Sequence, residues 1–238
     1  MSITIIGTSH IARQSVREVT QKIEQLQPDF ICLELDSDRF RALLEKKTKK
    51  GSYLLQIRSV GIVGLLFALI AQWAEKKLGD LVGLAPGAEM LAAIRGAKRY
   101  EKKIVLVDQH IHITLRRLSG AITAKEKWRF AVDVVRSVLF PKSEIQRLGL
   151  GSLDLTQVPS EFLIEVLLKT VKTRYPNFYR VLITERNIIM AKNITLLWRQ
   201  HPDKKILAVM GAGHKKEVER LIKQFQESSV PTILPQTI

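Results

Sequence analysis

The sequence predicts an α/β fold: a mainly parallel central sheet of four to five strands carrying large helical insertions. The first observation is the opening run Ile3-Thr4-Ile5-Ile6, apolar and β-branched, then Gly7-Thr8-Ser9-His10 and the helical pattern Val16, Val19, Ile23, Leu26. The second is its repetition near the other end. There Ile206-Leu207-Ala208-Val209-Met210 leads into Gly211-Ala212-Gly213-His214, and a helix follows with Val218, Leu221 and Ile222. The third is a pair of short apolar runs between these units, each alternating with helical periodicity, as in a sheet with crossover helices.

The first strand is expected to end at Gly7, a residue able to turn at positive φ because it has no Cβ. Pro28-Asp29 breaks the first helix, and Phe30-Ile31-Cys32-Leu33-Glu34-Leu35-Asp36 reads as strand two, parallel and adjacent to strand one as in a simple βαβ unit. Glu34 interrupts this apolar run near its carboxyl end, so it should face a site or pair with a base such as Arg39. Asp36 or Asp38 is expected to cap the next helix.

Residues 54–74 are the most apolar part of the chain. The charge-free run between Arg58 and Glu75 is shorter than the roughly 18–20 residues of a spanning helix. A buried helix, an oligomer interface at residues 60–73, or an in-plane membrane helix fits it better. A helix is expected over 84–100, with Met90, Leu91 and Ile94 on its apolar stripe. Lys103-Ile104-Val105-Leu106-Val107-Asp108 then forms strand three, ending in a carboxylate. His110 and His112 would share a face only if that strand continued, and no third ligand stands near them in sequence, so both read as structural.

From 123 to 200 the pattern is helical, broken at Pro141, Gly149, Gly151, Pro159 and Pro176. Its last helix carries Thr184-Glu185-Arg186-Asn187, and Arg186 is a candidate for the site. After strand four and its helix, Pro231-Thr232-Ile233-Leu234 suits an edge strand. No glycine- or serine-rich linker divides the chain, so residues 1–238 read as one domain, with helical insertions at about 40–100 and 118–200.

The 238 residues carry a formal charge of +15, which draws attention to nucleic acid and anionic membrane as partners. No aromatic platform, zinc finger or basic recognition helix accompanies the charge, so nucleic acid is not expected. An anionic membrane surface stays open. Cys32 is the single cysteine, which excludes an intrachain disulfide and fits a reducing compartment. The start lacks a signal-peptide layout, so a cytoplasmic protein, peripheral to the membrane at most, is expected.

In an open parallel sheet, ligands bind beyond the carboxyl ends of the strands. If the two GxxH strands are neighbours, His10 and His214 converge there, with Glu34 close by. Neither histidine is assigned to the apolar stripe of its helix. Two imidazoles and a carboxylate with one open position suit a divalent metal that activates water. There is no GxSxG elbow and no HExxH. A dinucleotide fingerprint at Gly211-Ala212-Gly213 fails because its third glycine falls on Lys216. A metal-free route with His10 and Glu34 as general bases also remains, as does a domain that binds without catalysis.

Several motifs in order resemble the TraB/PrgY family across nearly the whole chain. They are Gly7-Thr8-Ser9-His10, Pro28-Asp29 before Glu34-Leu35-Asp36, Arg39, Gly87-Ala88-Glu89-Met90, Asp108 with Thr114-Leu115-Arg116-Arg117, Glu185-Arg186-Asn187 with Met190-Ala191, and Gly211-Ala212-Gly213-His214. The family is related to the Tiki proteases and, more distantly, to the erythromycin-esterase and ChaN-like fold. The resemblance implies a metal-dependent hydrolase with His10, His214 and Glu34 as ligands and Glu34, Glu89 and Arg186 as catalytic groups. The ion would be Mn, Co or Zn, and the substrate a peptide signal or similar carbonyl compound. Family members are linked to shutting down peptide pheromones, and many carry membrane spans beyond this domain. This chain shows none, which fits a short member or an excised domain. Gln109 departs from the arginine usual after the aspartate.

Overall fold

The computed structural model describes residues 3–8, 13–45, 87–139 and 161–228. His10, the apolar run at 54–74, the breaks at Pro141, Gly149, Gly151 and Pro159, and the expected edge strand at 231–234 lie outside the described residues.

Among the described residues, four strands form one sheet: β1 (Ile3–Thr8), β2 (Phe30–Leu33), β3 (Lys103–Leu106) and β4 (Ile206–Gly211). All pairings are parallel and the order is β1-β4-β2-β3. The parallel sheet is as expected, but β1 and β2 are not neighbours, because β4 lies between them. Burial explains the order. Every residue of β4 and of β2 is buried, so each needs partners on both sides and cover on both faces. β1 and β3 contain Thr4 and Lys103 and are only partly buried, which suits edges.

The strand ends also differ from expectation. β2 stops at Leu33, since Leu35 N–H turns back to Leu33 O at 2.8 Å, although Glu34 N–H still reaches Val209 O on β4 at 3.1 Å. Asp29 fixes the other end of that pair: its carboxylate accepts from Lys205 N–H at 2.9 Å and from Lys204 Nζ at 3.2 Å.

Helices cover both faces. On one lie α1 (Arg13–Leu26) and, after α2 (Ser37–Glu45), α3 (Ala88–Arg99). Val19 and Ile23 of α1 and Met90, Ala93 and Ala97 of α3 pack with Ile6, Ile31, Leu33, Leu207 and Val209. Gly96 permits this approach, because a Cβ there would stand 2.8 Å from Ile23 Cδ1. After β3 come α4 (Ile111–Ala121), α5 (Ala124–Leu139), α6 (Glu161–Arg174), α7 (Pro176–Tyr179) and a π-helical segment at Arg180–Glu185. That segment runs straight into α8 (Arg186–Gln200), and α9 (Ala212–Glu227) follows β4. Met190 and Ile194 of α8 and Val218, Leu221 and Ile222 of α9 cover the second face, over Ile5, Cys32, Val105, Ala208 and Met210. Burial there pushes the Cys32 thiol up to about 12. Among the described residues, no helix is long and apolar enough to cross a membrane.

Two carboxylates knit the helical connections together. Asp36 caps α2, with Oδ1 accepting from Asp38 and Arg39 N–H at 2.8 and 2.9 Å, while its Oδ2 accepts from Ile111 N–H, opening α4, at 2.9 Å. Thr123 and Glu126 form a capping box at the start of α5, and Glu126 also accepts from Asn177 N–H at 2.8 Å and Asn177 Nδ2 at 2.9 Å. Burial alone would raise the Glu126 carboxyl, and the Asn177 and Thr123 donors more than reverse this, holding it below its usual 4.5. A depressed folded pKa means stabilisation that is complete above the unfolded value and is lost as pH falls through the folded one. Glu126→Gln is therefore expected to cost about 1–2 kcal/mol at neutral pH, where a charge-assisted bond is lost, and to cost less in acid. Urea melts at pH 7 and pH 3 test this; an equal cost at both would remove the carboxylate from the account.

Candidate functional site

The carboxyl ends of β2, β3 and β4 all open on the same side. Strand alternation puts Glu34 on the face of Phe30 and Cys32, under α8 and α9. It is 4% exposed. Its Oε2 accepts from Gly211 N–H at 2.6 Å, and its Oε1 pairs with Arg186 Nη2. Two bonds fasten the same guanidinium to Asp108: Nε to Oδ1 at 3.0 Å and Nη2 to Oδ2 at 2.7 Å. Arg186 stands first in α8, directly after the π-helical segment, and its Nη1 reaches back to Leu182 O at 3.3 Å. Wide π turns of this kind shift the side chains that follow them, here toward two buried carboxylates. Burial would lower the Arg186 pKa, and the pull of Glu34 and then Asp108 overrides it, so the guanidinium stays charged. Arg39 adds a second cation, 3.6 Å from Asp108 Oδ2.

His214 completes the cluster. Its Nδ1 contacts Asn187 Oδ1 at 2.6 Å, and its Nε2 faces inward. Nε2 lies 3.3 Å from Glu34 Oε1 and 3.4 Å from Arg186 Nη1. His214, Val218, Leu221 and Ile222 form the buried face of α9. The expectation that His214 stands off the apolar stripe is thus corrected; the spacing 214, 218, 221, 222 is one helical face.

Of the residues read from sequence, Glu34, Arg186 and His214 meet at one point. Glu89 is buried in the first turn of α3, in the layer on the opposite face of the sheet. α3 leads into β3, so this turn lies toward the same end of the sheet as the cluster. β1 and β4 are neighbours, with Thr8 opposite Gly211, so the strands preceding both GxxH histidines lie side by side. The turn itself is not made by positive φ, since Gly211 has φ −59°. Gly7 serves close approach instead: a Cβ there would meet Ala212 Cα at 3.1 Å, where α9 begins.

Asp108, Asn187 and Arg39 were not read as site residues. Asp108 gave a signal as a carboxylate closing an apolar strand, and Asn187 as the neighbour of Arg186. His110 and His112 do not share a strand face. The strand does not continue; His110 stands at the N-cap position of α4, with no side-chain cap bond, and His112 sits in its first turn, with the rings stacked 5.3 Å apart. A third group does stand near: ligand atoms of Asp38, His110 and His112 lie within 4.8 Å of one another, a set that could hold a metal. Gln109, in the position that departs from the family pattern, donates from Nε2 to Thr114 Oγ1 at 2.6 Å inside α4.

The family model of the TraB/PrgY/gumN family matches residues 1–230. The chain belongs to that family. An uncharacterized protein of Methanocaldococcus jannaschii is 32% identical over 228 residues, covering 95% of this chain and 55% of its own length. TraB domain-containing proteins of Bos taurus and Homo sapiens are 24% and 22% identical, each covering 92% of this chain and 62% of the relative. This TraB-family chain therefore spans little more than half the length of the curated relatives it matches.

Proposed function

We propose that this TraB-family protein is a metal-dependent hydrolase that splits a carbonyl-centred bond, with peptides as the first substrate class. The observation that carries the reading is the pair His214 Nε2 and Glu34 Oε1, buried and 3.3 Å apart. Two donors bound at about 2.0–2.2 Å to one tetrahedral ion stand at about this separation. Both are also oriented from behind, Nδ1 by Asn187 and Oε2 by Gly211 N–H, the outer-shell support that ligands to a metal need. His10, beyond the end of the neighbouring strand, is the third ligand of this reading. Arg186 stands at this pair too, with Nη1 3.4 Å from Nε2 and Nη2 on Oε1, and Asp108, bonded to it at 3.0 and 2.7 Å, offsets part of the charge that an ion there would meet.

When bound there, a divalent ion supplies a Lewis acid and water that ionises near neutral pH. The protein's own groups do the rest. Arg186 offers its positive charge to the oxygen on which negative charge develops. The family resemblance adds Glu89 as a second carboxylate for proton transfer, on the helix that covers the other face of the sheet. The peptide as substrate rests on the family resemblance. A second reading, capture of a peptide or an anionic membrane surface without cleavage, rests on the +15 charge.

The test is cleavage of a mixture of unstructured peptides, read by mass spectrometry, before and after chelation and on return of Mn²⁺, Co²⁺ or Zn²⁺. Cleavage that stops on chelation and returns with one ion is expected. Cleavage unaffected by complete metal removal would discard the metal, and no cleavage with any ion would favour capture.

A further inference from the structure

We infer that Asp38, His110 and His112 form a second divalent-metal site, separate from the Glu34–His214 cluster and of a kind that takes Zn²⁺, Ni²⁺ or Cu²⁺. The three ligand atoms stand within 4.8 Å of one another. His110 Nδ1 is the further observation: it is buried and has no hydrogen-bond partner among the described residues. A buried ring nitrogen without a partner loses the hydrogen bond that water would have given it, and a metal ion is one group that restores the loss. Two imidazoles with one carboxylate favour borderline transition ions over Mg²⁺ or Ca²⁺, which prefer all-oxygen shells.

The fold brings the ligands together from two neighbouring strand ends. Asp38 lies in the first turn of α2 after β2, and the histidines open α4 after β3. The Asp36 carboxylate holds these two helix starts together through Asp38, Arg39 and Ile111 N–H. The rings already stack at 5.3 Å with planes 30° apart. Three ligands leave coordination positions for water, as in an open site. One competitor is present: Arg41 Nη2 donates to Asp38 Oδ1 at 3.0 Å. An ion held here would clamp α2 to α4 one residue from Gln109, whose neighbour Asp108 holds Arg186.

The experiment is Zn²⁺ and Ni²⁺ titration of the full chain, free of any polyhistidine tag, by calorimetry. The Co²⁺-loaded protein is also read by visible absorption. Wild type, His112→Ala, the double variant His110→Ala/His112→Ala and His214→Gln are compared. His112 is exposed, so its loss leaves the fold alone. The expectation is a binding event weakened by at least about tenfold in His112→Ala, since losing even an outer-shell partner costs that much. It should be absent from the double variant and kept in His214→Gln. Arg41→Ala, which frees Asp38, should tighten it. An isotherm unchanged in the double variant overturns the site. So does a single binding event in wild type that is lost in His214→Gln and unchanged in the double variant, which would leave the other cluster as the one metal site.

Discussion

Arg186→Leu is expected to destabilise the fold by about 3–5 kcal/mol, the cost of leaving buried charge uncompensated when one partner of an ion pair is removed. Glu34 and Asp108 side chains are 5% and 3% exposed, so water cannot replace the guanidinium. Arg39, 3.6 Å from Asp108, relieves part of that charge and donates to the main-chain oxygen of Glu34 at 3.5 Å. Lysine is a poor substitute, because a point charge cannot satisfy the two bonds to Asp108 and the one to Glu34 together. Equilibrium urea unfolding measures the loss. Adding Asp108→Asn to Arg186→Leu should recover part of it, since one orphaned charge is then gone. A double variant no more stable than Arg186→Leu alone would show that the loss comes from packing rather than charge.

His214→Gln is expected to lower peptide cleavage by at least about 100-fold, because it removes a proposed metal ligand and losing even an outer-shell partner costs about 10–100-fold. Glutamine keeps much of the volume and an amide donor for Asn187, so the stability cost should stay near ~1–2 kcal/mol despite burial on the apolar face of α9. Asn187→Ala separates positioning from chemistry. It leaves the ring in place without its orienting acceptor, and a smaller loss of about 10–100-fold in kcat is expected, with metal affinity reduced alongside. Steady-state kinetics with metal content read on the same samples checks both. Activity of His214→Gln within about threefold of wild type would remove His214 from the mechanism.

Much of this arrangement was legible in the sequence because it follows local periods. Strand alternation alone puts Glu34 on the face of Cys32, and a glycine after each apolar run marks where both GxxH units leave the sheet. What was hidden depends on contacts far apart in the chain. The rule that consecutive parallel strands adjoin favoured β1 beside β2, and only the two-sided burial of Ala208 and Val209 reveals that β4 belongs between them. The start of α4 at His110 depends on Ile111 N–H reaching Asp36, 75 positions away. No local pattern around His110 and His112 contains Asp38. Asp108 lay in plain view at a strand end; what it lacked was the partner, 78 positions on, that gives it meaning.

The central place of β4 bears on how the chain comes into being. Thr8 pairs with Gly211, and Leu33 with Val209, so the ribosome has made both flanking strands long before the strand that joins them. At about 5–20 residues per second, the first strand waits on the order of 10–40 seconds for β4, its partner among the described residues. During that interval β1 and β2 keep open edges, the kind that pair with a second nascent chain. Contacts this distant also make for slow folding. Among the described strands, β4 is what joins β1 to β2, so a fragment that stops short of residue 206 separates β1 from the β2–β3 pair.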